Sequence, residues 1–445
     1  MGSRRSEDSP KTQKKGKKKG KKKKSWNRRM LPWLALGALC WIGGPMALRE
    51  LGGAWNHSPD ALDLVTQSNT SELVDAAMEG IDPSHLVDYH THVVGLGTGG
   101  TGASIHPDNL DWSHPFERVR FEVYRTACGI ENLASADAQY ITRLVSLIRA
   151  WGRHGVHHLL AFDMNHRPDG TPDPDASQFH VPNERVLALA EAHPDLFRAT
   201  LSVHPARKDA LEALREGARR GATQVKWLPN SMNIDPADPA HDAFYEEMAR
   251  LRLTLLTHAG HEYAVDAEGS QDLGNPLRLR RPLDHGVRVI VAHCASLGEG
   301  EDLDHPEGPP VDNFDLFLRL MNEARYQGLL FGEISAVTLA NRLSRPLRIL
   351  LERDDLHPRL VNGSDYPLPA VNVVIRLTPL VKEGFLRPEE AQPLRTIYMH
   401  NPLLFDFVLK RTVRHPETGA RFPASVFMDN ALNTPRPSEP PRRTP

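Results

Sequence analysis

The sequence predicts an α/β fold of the (β/α)8 TIM-barrel type, and three observations carry that expectation. From about residue 86 onward, short apolar runs alternate with amphipathic helical stretches, as in repeated strand–helix units. Eight such units fit between residues 86 and 411. Nearly every apolar run ends in a polar side chain capable of chemistry, and the C-terminal strand ends of such a barrel are where active sites are built. No GxGxxG follows the first run, so the open doubly wound sheet loses its usual mark.

Strands are expected at 86–92, 157–165, 198–204, 223–228, 253–258, 287–294, 330–335 and 359–364. Helical periodicity falls between them at 136–151, 183–192, 209–220, 243–252, 313–325 and 341–353, with a last helix near 396–410. A long loop therefore follows the first strand. Its glycine-rich stretch 95–102 (GLGTGGTG) has the composition of a phosphate cradle, but no GK[ST] follows and no helix begins there. It reads instead as a flexible lid or rim.

A chain of 445 residues with 40% hydrophobic and 25% charged side chains suits a soluble globular body and excludes a wholly disordered or multi-span protein. Cys40, Cys128 and Cys294 are too few for a disulfide framework. The net charge of −2 conceals an asymmetry. The first 30 residues hold 14 Lys/Arg against Glu7 and Asp8, a net of +12, and the rest carries 40 basic and 54 acidic side chains, a net of −14. An acidic body argues against nucleic acid as a partner.

Residues 1–29 read as a disordered polybasic tail. Residues 30–48 contain no charge, include Trp33 and Trp41, and match the length of a single transmembrane signal anchor, interrupted by Pro32 and Pro45. Lysines ahead of it predict a cytoplasmic N-terminus and a catalytic domain on the extracytoplasmic side of the membrane. Residues 49–85 read as a linker and lead-in, 86–411 as the barrel, and 412–445 as a C-terminal extension, disordered from about 433.

The strand ends supply the candidate site. The first closes as VDYHTH, where His90 and His92, two apart on a strand, share a face. The fourth ends with Lys226, the fifth with His258, the sixth with His293, the seventh with Glu333 and the eighth with Asp365. Among 22 histidines a single one after an apolar run signifies little; placement at successive strand ends is the signal. His157, His158 and His285 stand at strand starts and read as structural. Imidazoles with a carboxylate suit a borderline divalent ion such as zinc, and three protein ligands leave a position for a water whose pKa the ion lowers. Asp365 can serve as ligand and also as proton acceptor, while His293 can polarise a carbonyl or bind a second ion. Glu333 can orient a ligand histidine. His204, His166 and His261 lie where substrate could touch them. Cys294 is expected to point outward by strand alternation as a small core residue.

The series DYHTH, THAG, VAHCAS and NGSDYP, followed by YMHNPLLF, resembles the amidohydrolase superfamily, and within it the amidohydrolase-related branch. The resemblance spans residues 86 to 410. It implies metal ligation by His90, His92, His258 and Asp365, with His293 as the catalytic or second-metal histidine and Asp365 as general base. QVKWLPN is similar to the fourth-strand segment of dihydroorotase, which implies that Lys226, if carboxylated, bridges two ions. A mononuclear site with Lys226 as an ordinary cation is the other arrangement the branch allows. The expected activity is hydrolysis of an amide, lactone or ester-like bond in a small molecule. Non-oxidative decarboxylation of a small carboxylic acid is the alternative, and a non-catalytic, membrane-tethered binding barrel is the reading from outside enzymology.

Overall fold

Eight parallel strands form one sheet that closes on itself. They are β1 (Val87–His92), β2 (Val156–Leu160), β3 (Phe197–Leu201), β4 (Gln224–Trp227), β5 (Thr254–His258), β6 (Arg288–Ala292), β7 (Leu330–Glu333) and β8 (Leu360–Val361), paired in that order. Closure between β8 and β1 runs through a parallel bridge of Thr91 with Tyr366, and through Tyr89 N–H donating to Asn362 O at 3.0 Å. The computed structural model describes residues 69–429 apart from 266, 268 and 343, together with 44, 47, 50–53, 62 and 432. The chain divides into two units, Met1–Ala47 and Leu48–Pro445.

Twelve helices matter to the layout: α1 (Asn69–Met78), α2 (Pro115–Ala127), α3 (Ala136–Trp151), α4 (Asn183–Ala192), α5 (Ala210–Arg219), α6 (Asp242–Arg250), α7 (Arg280–Asp284), α8 (Asn313–Asn322), α9 (Arg345–Glu352), α10 (Leu377–Lys382), α11 (Pro388–His400) and α12 (Pro402–Thr412). The eight expected strands are all present, most of them shorter than the apolar runs that announced them. The helix expected near 396–410 is two helices. Asn401 separates them: its side chain accepts from Leu404 N–H at 3.1 Å as the cap of α12, Pro402 takes the first helical position, and its Nδ2 donates to Leu147 O at 2.7 Å. The helix α2, inside the long loop after β1, was not expected. Phe116, Val119, Val123 and Ala127 lie along one side of it, Phe121 and Tyr124 along another, and Arg118, Glu122 and Arg125 pair along a third.

Barrel interior and helix layer are separate apolar clusters. Val87, Tyr89, Leu160, Leu256, Ile290, Phe331 and Val361 fill the lower interior, and the larger core lies between strands and helices. Tyr89 packs on His158 at 5.0 Å between ring centroids, consistent with a structural His158. His157 points outward to Asp88, 3.2 Å away.

Residues 49–85 hold more than a linker, since α1 occupies Asn69–Met78. The extension after α12 packs against the barrel: Phe422, Val426 and Phe427 are buried, and Met428 bridges Leu86. Residues 1–29 and 433–445, both expected to be disordered, lie outside the described residues, as does the expected anchor except for Gly44 and Ala47. Among the described residues no helix is long and apolar enough to cross a membrane.

Asn401→Ala removes a helix cap and the second hydrogen bond to the buried carbonyl of Leu147. It should cost about 1–3 kcal/mol in urea unfolding. A loss within experimental error would remove Asn401 from the list of residues that hold the last two helices in place.

Candidate active site

Strand parity alone would bury the wrong face of β1. Val87 and Tyr89 point into the barrel, so His90 and His92 should point out. The pairing of β1 with β2 slips between Asp88 and Thr91, and this bulge resets the alternation so that both histidines turn inward at the upper rim. Asp88, left outside, ties the slip down by accepting from His90 N–H at 2.9 Å and from Ser364 N–H at 2.9 Å.

Three ligand-type atoms meet there. His90 Nε2 and His92 Nε2 are 3.3 Å apart, and Asp365 Oδ1 lies 3.3 Å from the first and 3.0 Å from the second. Donors bound at 2.0–2.1 Å around a tetrahedral ion are separated by roughly 3.3 Å, so this triangle has the dimensions of three ligands to one divalent metal. The donor set, two imidazoles and a carboxylate, is of the type zinc accepts. Asp365 reaches the triangle from a left-handed backbone, φ +58°, held by its N–H donating to His90 O at 2.6 Å. Burial alone would raise its pKa, but His90, His92 and His293 together hold the carboxyl well below the ordinary range. Burial also lowers the pKa of His92.

Glu333 organises the far side. Its Oε2 lies 3.1 Å from His90 Nδ1, which fixes a proton on that nitrogen and leaves His90 Nε2 as a lone pair aimed at Asp365 and His92. Ser335 donates its N–H to Glu333 Oε1 and its hydroxyl to Oε2 at 2.6 Å. With that hydroxyl hydrogen committed, Ser335 Oγ accepts from His293 Nδ1 at 2.6 Å. The chain Glu333–Ser335–His293 thus leaves His293 Nε2 free, 3.7 Å from Asp365 Oδ2. His293 arrives by three successive left-handed residues, His293, Cys294 and Ala295, with φ between +50° and +56°. That turn overrides strand alternation. Cys294 is a buried core residue as expected, but it gets there through the turn, with Sγ 3.5 Å from Glu333 O, and burial pushes its thiol well up.

Lys226 Nζ is 3.2 Å from His90 Nε2. Burial pushes its pKa down to about 8, against the opposing pull of Asp365, Glu333 and Glu262. His258 shares the cavity but not the triangle. Its Nε2 lies 3.3 Å from His261 O, its Nδ1 3.5 Å from Glu262 Oε2, and its ring 5.4 Å from that of His293. The structure therefore does not gather the full set His90, His92, His258 and Asp365 around one point.

His204 was expected near substrate and is placed elsewhere. Its Nε2 lies 3.0 Å from Met232 O, its N–H donates to Asp163, and its ring packs on His166 at 4.9 Å, away from the cavity over the triangle. His261 turns to Tyr263 Oη at 3.1 Å. The 95–102 loop is a rim, but a fastened one: N–H groups of Leu96, Gly97 and Thr98 and the hydroxyls of Thr98 and Thr101 all donate to Asp137.

Two residues were missed. Glu262 is buried beside His258, with its pKa raised by burial, and Arg342 is buried with one guanidinium N–H donating to Ser296 Oγ at 3.2 Å. Arg342 adds to the effect of burial in keeping His258 and His293 neutral. Both stand several residues beyond a strand end, and following each loop that far would have found them. The cavity above the triangle has a volume of about 220 Å³ and is walled mainly by apolar side chains, among them Val94, Leu96, Phe121, Tyr124 and Leu228.

No protein-family model matches the chain, and no curated protein matches it. Among solved structures it is similar to an uncharacterised TIM-barrel protein from Bordetella bronchiseptica, at 16% identity over 70% of this chain and 99% of that one, with a TM-score of 0.42. It is similar to a putative 2-pyrone-4,6-dicarboxylic acid hydrolase from Pseudomonas putida, at 16% identity over 73% and 98% of the two chains, with a TM-score of 0.40. A third likeness is to a 5-carboxyvanillate decarboxylase from Sphingomonas paucimobilis, at 12% identity over 73% and 96%, with a TM-score of 0.39.

Proposed function

We propose that the barrel is a metal-dependent hydrolase that cleaves an amide, lactone or ester-like bond in a small molecule with an apolar body. The observation that carries this reading is the triangle of His90 Nε2, His92 Nε2 and Asp365 Oδ1, with edges of 3.0–3.3 Å, at the floor of an apolar cavity. These three residues would hold one divalent ion, zinc by donor type. When bound, the ion supplies Lewis acidity and lowers the pKa of a water.

The rest of the chemistry belongs to the chain. Asp365 turns Oδ1 to the imidazoles, so Oδ2 is the atom that accepts the proton of the attacking water. His293 Nε2, unprotonated and 3.7 Å away, relays that proton to the leaving group. Once protonated it is a cation held through Ser335 against Glu333, and it then stabilises negative charge developing on the substrate oxygen. Burial, aided by the nearby guanidinium of Arg342, keeps His293 neutral until the proton arrives. The apolar walls exclude water and strengthen each of these interactions by lowering the local dielectric.

Decarboxylation is the second reading, and Lys226 is the observation that favours it. As an ammonium lining the cavity beside the triangle, it would bind a substrate carboxylate. In the hydrolytic reading the amine stays an uncarboxylated neighbour of His90.

Metal analysis of the purified chain should find one ion per polypeptide, and Lys226→Ala should keep it. Two ions, falling to one on that substitution, would establish a bridging carboxylated lysine in its place. Asp365→Asn should lower turnover of ester and lactone substrates by about 10²–10⁴-fold or more with an unchanged circular dichroism spectrum. Near-normal turnover would remove Asp365 as base. Glu333→Gln should weaken zinc about 10–100-fold in a chelator competition, because the anchored proton of His90 loses its charged acceptor. Unchanged affinity would mean that packing alone orients His90.

A further inference from the structure

Large hydrophobic side chains left exposed among the described residues gather at one end of the barrel. Leu110, Trp112, Phe116 and Val119 follow β1, Tyr263 follows β5, Leu303 follows β6 and Val373 follows β8. All are in segments that follow the C-terminal ends of strands, the end that holds the triangle. Leu51 belongs with them: Gly52 beside it sits against Val123 and Thr126 of α2, and Asn372 donates to Glu50 O at 2.7 Å. The exposures are large, 86% for Phe116, 67% for Tyr263 and 64% for Trp112, where a monomer ordinarily scatters such residues singly.

Helix α2 explains the gathering. Its inner face gives Phe121 and Tyr124 to the cavity wall, and its outer face with the preceding turn presents Trp112, Phe116 and Val119 at helical spacing. One short helix thus separates an apolar cavity from an apolar outer surface. Arg118 lies between the two, its guanidinium 5.3 Å from the ring of Trp112 and 5.1 Å from that of Phe121. Trp and Tyr flanked by Arg over an apolar ridge are the residues that settle at a bilayer boundary. Acidic and basic side chains on Pro107–Ala127 nearly balance, Asp108, Asp111, Glu117 and Glu122 against Arg118, Arg120 and Arg125, so attraction to a charged protein is not what this face offers. The sequence supplies the same chemistry next door: the 19-residue charge-free run ends at Leu48, three residues before Leu51, and a run of lysines precedes it.

We infer that the rim formed by Leu110–Val119, with Tyr263 and Leu51, docks on a lipid surface, so that the active cavity opens toward lipid. The inference goes beyond the catalytic reading and holds or fails without it, because its test reads position and not turnover.

The full chain, with Cys40→Ala and Phe116→Cys, is labelled at position 116 with an environment-sensitive fluorophore. The two remaining cysteines, Cys128 and Cys294, are buried. A matched chain carries the label at Arg219→Cys, on the outer end of α5. Both are mixed with phosphatidylcholine vesicles, with and without lipid bearing a nitroxide in its acyl chain. The label at 116 should brighten about twofold or more and be quenched by the nitroxide lipid, while the label at 219 does neither. Because the two chains differ only in where the label sits, capture of the protein by residues 1–48 alone would leave the two labels alike and overturn the inference. Brightening at 116 without nitroxide quenching would also overturn it, since a second copy of the chain would then cover the face. Leu110→Cys gives an independent position should the change at 116 disturb folding.

Discussion

Glu333 is the constraint on which the site depends. It is fully buried at the end of β7, where an unpartnered carboxyl group would cost several kcal/mol, and it is stabilised by four donors: His90 Nδ1–H, the N–H of His293, and the N–H and hydroxyl of Ser335. Those donors come from β1, from the turn after β6 and from the residues after β7. One buried group therefore sets the tautomer of two imidazoles and pins three strand ends together. The approach is close enough that Gly363, beyond β8, has no space for a side chain: an added Cβ would stand 2.5 Å from Glu333 Oε1 and 2.7 Å from His90 Cβ.

Local backbone cost is concentrated around this group. The bulge in β1, the left-handed run His293–Ala295 and the left-handed Asp365 each depart from the regular barrel, and each delivers an atom to the candidate site. Non-glycine residues in that region cost on the order of 1 kcal/mol or more apiece. They persist because surrounding bonds over-determine them: Asp88 holds the bulge, Asp365 N–H is bound to His90 O, and Glu333 takes the N–H of His293. Strain and function occupy the same residues here because the regular strand would point these side chains into the helix layer.

That is also the boundary of what could be read from the chain. The βα alternation and the polar strand ends were legible, because apolar runs of four to six residues and their terminal histidines follow from burial alone. His90, His92, His293, Glu333, Asp365 and Lys226 stand out by position in that pattern, and the fold brings them together. The inward turn of His90 was right for a reason the pattern does not contain, since alternation from Val87 and Tyr89 points the other way. His204 and His258 satisfied the same pattern, yet the first is bound to a backbone carbonyl beside His166 and the second to the loop of Glu262. A strand end says which layer a residue occupies. It does not say which neighbour its nitrogens meet, and that depends on loop paths such as those carrying Glu262 and Arg342. Helix α2 escaped notice for a related reason: it lies inside a long loop, and its apolar residues divide between a cavity face and an outer face beside the paired Arg118, Glu122 and Arg125.

The triangle has the spacing of a site that could hold a cation. His90 Nδ1 carries its proton toward Glu333, so His90 Nε2 is a lone pair, and within 3.3 Å of it stand His92 Nε2, Asp365 Oδ1 and Lys226 Nζ. A lone pair and a carboxylate oxygen at that separation repel unless positive charge lies between or beside them. Three groups of the chain stand beside them: the His92 imidazole hydrogen-bonded to Asp365, the amine of Lys226, whose pKa burial lowers to about 8, and the buried guanidinium of Arg342. None of the three meets both histidines and the carboxylate at once. A divalent ion at the centre would satisfy all three donors and release Lys226 from that duty, leaving it able to meet a substrate. Low-dielectric walls would make the filled triangle strong, which is why donor spacing and apolar cavity have to be read as one feature.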